Sequence, residues 1–125
     1  MTAELPVVLL VDDERHILSA LRRSLRREGY QILTANSAEG ALETLAEQKV
    51  DLVVSDQKMP GANGIALFAE LERSGARVPR VLLTGWPEEI PAGELRKAGV
   101  TALLPKPWDD AQLKSTLRSC LAGSA

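Results

Sequence analysis

The chain has 125 residues, the size of one ordinary domain, with 26% charged residues and a formal net charge of −2. That balance leaves no electrostatic footprint for nucleic acid or an anionic membrane, and 3% aromatic residues leave no base-stacking platform. A lone cysteine, Cys120, excludes an intrachain disulfide. With no basic-then-apolar leader pattern and no apolar run near the roughly 20 residues of a membrane span, a cytoplasmic location is expected.

Residues 7–11, VVLLV, are an apolar run of strand length. Ile17, Leu18, Leu21 and Leu25 then recur at helical spacing, with Arg22, Arg23, Arg26 and Arg27 as a solvated face and Gly29 as the stop. Residues 30–35 read as a second strand. Ser37 is placed to cap a helix carrying Ala38, Ala41, Leu42 and Leu45. Residues 52–55 form a third strand, 64–74 a helix built on Ile65, Leu67, Phe68 and Leu71, and 80–84 a fourth strand. Residues 88–98 carry Pro91 and Gly93 inside a weak helical pattern, so a short or late-starting helix is predicted. Residues 101–104 are a short fifth strand. Asp109 or Asp110 caps a last helix with Leu113, Leu117 and Leu121 on one face, and Cys120 reads as a small core or surface residue.

These strands are apolar throughout rather than alternating, as in a parallel sheet covered on both faces. Five β/α pairs with right-handed crossovers predict a doubly wound α/β fold, a five-stranded parallel sheet between two helical layers. Ligands of such sheets bind beyond the carboxyl ends of the strands. Asp12 and Asp13 follow the first strand, Asp56 the third, Thr84 and Gly85 the fourth, and Lys106 and Pro107 the fifth. Taken alone, Asp12 or Asp13 reads as a helix cap, Asp56 as a turn residue, Thr84 as a strand-end hydroxyl and Lys106 as a solvated lysine. Their coincidence at four strand ends is what those readings leave unexplained. Crowded carboxylates favour a divalent cation such as Mg²⁺, and a carboxylate can carry an aspartyl phosphate. A lysine and a threonine hydroxyl suit the oxygens of a transferring phosphoryl group.

VDDE at 11–14, SDQKMPGANG at 55–64, LLTG at 82–85 and PKPW at 105–108 come in this order and spacing. In these motifs the chain resembles the receiver domain of two-component response regulators, a flavodoxin-like fold. The resemblance implies one receiver domain over 1–125, with a core at about 6–121 and no output domain in this chain. It implies that Asp56 accepts a phosphoryl group from a histidine kinase or phosphotransfer protein. Mg²⁺ (or Mn²⁺) would be held by Asp13, Asp56 and the main-chain carbonyl of Lys58, with Asp12 acting through water. Lys106 and Thr84 would bind the phosphoryl group and switch, and the Lys106-Pro107 bond would be cis. No enzyme activity beyond self-catalysed phosphoryl transfer and autodephosphorylation is implied. Partners would be the phosphodonor, an output domain in a longer protein, and a second copy on phosphorylation, without direct nucleic-acid or membrane binding. SDQKMPG and LPKPWDD also resemble receivers joined to transcriptional activators or to cyclic-dinucleotide phosphodiesterases.

Two positions depart from the family pattern. Leu103 stands where an aromatic commonly moves with the threonine, and Pro91 and Gly93 interrupt the fourth helix, whose surface usually meets partners. Leu103 keeps open a second reading, a constitutive interaction module with an unused pocket. Lys58 stands where a phosphohydrolase would carry its acid/base carboxylate, which argues against that chemistry. Lys58 and Trp86, two residues after Asp56 and Thr84, would flank the path of attacking water and slow dephosphorylation. Otherwise they are loop surface. His16 reads as a lone exposed histidine. Trp108 reads as packing at the base of the last helix or as a partner anchor.

Overall fold

The apolar runs form five strands in a computed structural model that describes residues 4–123. These are β1 (Val7–Val11), β2 (Gln31–Ala35), β3 (Leu52–Asp56), β4 (Arg80–Thr84) and β5 (Ala102–Pro105). All neighbouring pairs are parallel, in the order β2-β1-β3-β4-β5. Helices α1 (Arg15–Leu25), α2 (Ala38–Glu47), α3 (Gly64–Arg73), α4 (Ala92–Lys97) and α5 (Asp110–Gly123) make the crossovers. Strand order reverses between β1 and β3, so a crevice opens there beyond the carboxyl ends.

Alternate residues of each strand point to opposite faces, and both faces are apolar because both are covered. Val8 and Leu10 of β1 pack with Leu21 and Leu25 of α1 and with Leu113 and Leu117 of α5. Leu9 and Val11 pack on the other side with Ala41 of α2 and with Leu67, Phe68 and Leu71 of α3. Phe68 is fully buried, and its truncation to Ala would cost about 3–5 kcal/mol.

Local chemistry sets the element ends. Ser37 caps α2, its Oγ accepting from Gly40 N at 3.0 Å. Asn63 caps α3 through Ala66 N at 2.8 Å, a cap the apolar pattern did not reveal. Asp109, not Asp110, caps α5, accepting from Gln112 N at 2.8 Å. Helix α1 stops at Leu25, earlier than Gly29. The intervening residues form a turn in which Gly29 takes φ 82°, a left-handed conformation that glycine adopts freely. Strand β5 runs one residue later than expected. Thr101 instead accepts from Arg80 N through its hydroxyl at 2.9 Å. A 3₁₀ turn (Pro87–Glu89) precedes α4, which starts late behind Pro91 and has no side-chain cap and no buried residue.

Candidate functional site

The crevice side chains come from the ends of β1, β3, β4 and β5. After β1 the chain turns sharply, with Asp12 Oδ1 accepting from Glu14 N at 2.8 Å. Asp12 thus closes a turn rather than capping α1, whose N-cap, Glu14, makes no side-chain capping bond. Asp12 is 1% exposed, whereas Asp13 faces solvent. Asp56 ends β3 and is 6% exposed. Gly64, at the start of α3, lets that helix come against it. A Cβ at Gly64 would lie 2.6 Å from the Asp56 carbonyl oxygen. Gln57 ties the loop to the same helix, its side chain accepting from Ile65 N at 2.9 Å.

Carboxylate oxygens of Asp12, Asp13 and Asp56 lie within 4.8 Å of one another. Lys106 Nζ reaches into the group, 3.1 Å from Asp12 Oδ2 and 3.1 Å from Asp56 Oδ1. One ammonium therefore faces three carboxylates. Burial pushes the Asp56 carboxyl above the ordinary carboxylate range, against the pull of Lys106. Burial also pulls on the Lys106 ammonium, but its hydrogen bonds to Asp56 and Asp12 more than offset this and raise its pKa. Such an excess of hard, anionic oxygens fits a divalent cation of the Mg²⁺ kind.

Thr84, buried at the end of β4, accepts from Trp86 N at 3.2 Å through its hydroxyl. Lys106 is presented from β5, with its N–H donated to the Thr84 carbonyl at 2.9 Å, and the Lys106-Pro107 peptide is cis. The loops after β3 and β4 leave side by side because Asp56 pairs with Leu83 in the ladder. Lys58 Nζ therefore sits 3.9 Å from the centroid of the Trp86 ring, a cation–π contact at the mouth of the site. The sequence marked both positions but not this contact. The register of β3 against β4 is the signal that brings them together.

The remaining singled-out residues lie away from this cluster. Leu103 is half-buried and packs on the α2–α3 side of the sheet. Trp108 packs against the α1–α5 core and donates its Nε1–H to Asp110 at 3.1 Å. His16 and Arg22, Arg23, Arg26 and Arg27 are exposed. Cys120 is buried, which pushes its thiol pKa up. No helix among the described residues is long and apolar enough to cross a membrane.

Residues 8–118 match the family model described as the response regulator receiver domain. The chain is 34% identical over 123 residues to the hydrogenase transcriptional regulatory protein HoxA of Cupriavidus necator, covering 97% of this chain and 25% of that protein. It is 37% identical over 117 residues to the transcriptional regulatory protein CpxR of Klebsiella pneumoniae, covering 94% and 50%. Among solved structures, the signal receiver domain of an HD domain-containing protein from Pseudomonas fluorescens superposes with a TM-score of 0.87. That match has 35% identity and covers 97% of this chain and 98% of that one. The chain thus spans between a quarter and a half of the length of these two curated relatives.

Proposed function

We propose that this chain, which belongs to the response regulator receiver family, is switched by a phosphoryl group carried on Asp56. The observation that carries this reading is the Asp56 carboxylate, buried at a strand end and 3.1 Å from the Lys106 ammonium. A carboxylate oxygen of Asp56 attacks the phosphorus of a phosphohistidine on a histidine kinase or phosphotransfer protein. The O–P bond forms, the N–P bond breaks, and the imidazole nitrogen leaves with its electron pair. Lys106 offsets charge on the phosphoryl oxygens, and the Thr84 hydroxyl donates to one of them. Asp12, Asp13, Asp56 and the Lys58 carbonyl would hold Mg²⁺ (or Mn²⁺), which supplies further positive charge to the phosphoryl oxygens when bound.

The test is incubation with acetyl phosphate and Mg²⁺ followed by intact mass. One phosphoryl group should appear on the wild type and none on Asp56→Asn. Equal labelling of the two would overturn the assignment. Lys58, exposed at the mouth of the site beside Trp86, supports a shielding role there. Lys58→Ala combined with Trp86→Ala should shorten the phosphorylated lifetime by about tenfold, roughly 1.4 kcal/mol in the barrier. An unchanged lifetime would make both plain loop surface.

The relatives are transcriptional regulators longer than this chain. We accordingly assign the chain a cytoplasmic signalling role, as a single receiver domain that acts on an output domain or a separate partner. Coupling of about 1–3 kcal/mol between phosphorylation and that partner is expected. A homodimer formed on phosphorylation would show as a larger size with beryllofluoride present. Leu103, which leaves the usual moving aromatic missing, favours one alternative, a constitutively formed interaction surface. Equal partner affinity with and without phosphorylation would select it.

A further inference from the structure

Trp86 is fastened at two points, and both fastenings belong to groups that a phosphoryl group on Asp56 would recruit. Its main-chain N–H rests on the Thr84 hydroxyl at 3.2 Å. Its ring faces the Lys58 ammonium, 3.9 Å away. Lys58 is exposed and has no ion pair among the described residues. The pocket beneath holds one ammonium against three carboxylates. Phosphorylation exchanges the single charge of the Asp56 carboxylate for the roughly two of a phosphoryl group, a net gain of about one negative charge there. A charge-assisted bond to phosphate also outweighs an exposed cation–π contact, so Lys58 has reason to leave the ring.

Trp86 also has somewhere to go. The ring is a shared wall between two cavities. On one side lie Lys58, Met59 and Ile90. On the other is a groove of about 540 Å³ lined by Ile17, Gly85, Lys106, Pro107 and Trp108. Half of the Trp86 surface is exposed in the observed position, so entry into an apolar groove is favoured once its fastenings loosen. Trp86 is moreover the residue on which the Pro87–Glu89 turn begins, and that turn leads directly into α4. Helix α4 lacks a side-chain cap and is held to the core through Leu95 and the buried Ala98 at its far end, so its start is the part that can follow.

We propose that Trp86, not residue 103, is the moving aromatic of this switch. Lys58 Nζ and the Thr84 hydroxyl turn to the phosphoryl group, and the released Trp86 ring enters the Ile17–Pro107–Trp108 groove, drawing the start of α4 with it. This makes Lys58 a second phosphoryl-binding cation held in reserve on the Trp86 face. The proposal rests on Asp56 being the phosphoacceptor.

Fluorine NMR on protein grown with 5-fluorotryptophan tests it, with Trp86→Phe assigning the resonance. In a sample whose intact mass shows the phosphoryl group, the Trp86 resonance should shift and lose at least half of its H₂O-to-D₂O solvent shift. An unchanged Trp86 resonance in that phosphorylated sample overturns the proposal and leaves the phosphoacceptor reading standing. Absence of phosphoryl mass overturns that reading, and the proposal with it. Unphosphorylated Lys58→Met should already place the Trp86 resonance part-way to the phosphorylated position. Identity with the wild type would overturn the role of Lys58.

Discussion

The two ends of the sheet treat buried charge in opposite ways. At the amino end of β4, Arg80 is 2% exposed and two of its three guanidinium nitrogens donate hydrogen bonds. Nη1 donates to Glu72 Oε1 at 2.5 Å and to the Ala98 carbonyl at 3.0 Å, and Nη2 donates to the Ala76 carbonyl at 2.6 Å. Only Nε has no partner. The guanidinium thus joins the ends of α3 and α4, where helix carbonyls are orphaned and the dipoles are negative. At the carboxyl end, one ammonium faces three carboxylates. A cation placed among orphaned acceptors makes the amino end a staple. An anion cluster short of cations makes the carboxyl end a site suited to a cation, and the place proposed for the phosphoryl group. Stability and reactivity are therefore separated by the length of a strand, and substitutions at the two ends should part cleanly.

The largest expected effect is at the carboxyl end. Asp56→Asn should lose all phosphoryl labelling by intact mass yet keep a native unfolding transition. Next comes the staple. Arg80→Met leaves the Ala76 and Ala98 carbonyls without their donor and should cost about 3 kcal/mol in urea unfolding. Labelling per folded molecule should not change. Slower labelling of Arg80→Met would show that the two ends communicate and would break the contrast. A third effect concerns the deficit of cations. Mg²⁺ at about 100 times its dissociation constant should stabilise the wild type by about 2.7 kcal/mol. Asp13→Asn should lose most of that gain, because it removes a proposed ligand and little packing.

The carboxyl end was legible in the sequence and the amino end was not, for a physical reason. Buried parallel strands read as unbroken apolar runs, so the residues that close them stand out, and the sheet rule gathers Asp12, Asp56, Thr84 and Lys106 on one edge. The late start of α4 was equally visible, because Pro91 forbids a helix earlier. Arg80 looked like the polar start of a strand. Its burial depends on the ends of α3 and α4 arriving around it, which no local pattern records. The one-residue offset of β5 has the same origin. Its span is set by the ladder from Val81–Ala102 to Thr84–Pro105, not by the propensities of Thr101 or Pro105. Lys58 and Trp86 were visible as positions, and only the register of β3 against β4 turned them into a contact.

The smallest effect is the most discriminating, because it asks whether the carboxyl end costs stability at all. Asp56 is buried beside two other carboxylates, and burial holds its carboxyl above the usual range despite Lys106. A raised folded pKa means that the native state binds this proton more tightly than the unfolded chain does. Stability from this group is then greatest at low pH and falls as pH rises through the raised value. At neutral pH the ionised Asp56 is a net cost. Asn keeps the shape and removes the charge, while Lys106 retains Asp12 at 3.1 Å. Without Mg²⁺, Asp56→Asn should therefore gain about 1 kcal/mol near pH 7, roughly 4 °C in Tm. The gain should shrink as pH falls and wild-type Asp56 takes up its proton. A loss at neutral pH would mean that the Lys106 pairing outweighs the crowding. The carboxyl end would then be a second staple, and its readiness for a phosphoryl group would have to come from shape rather than from uncompensated charge.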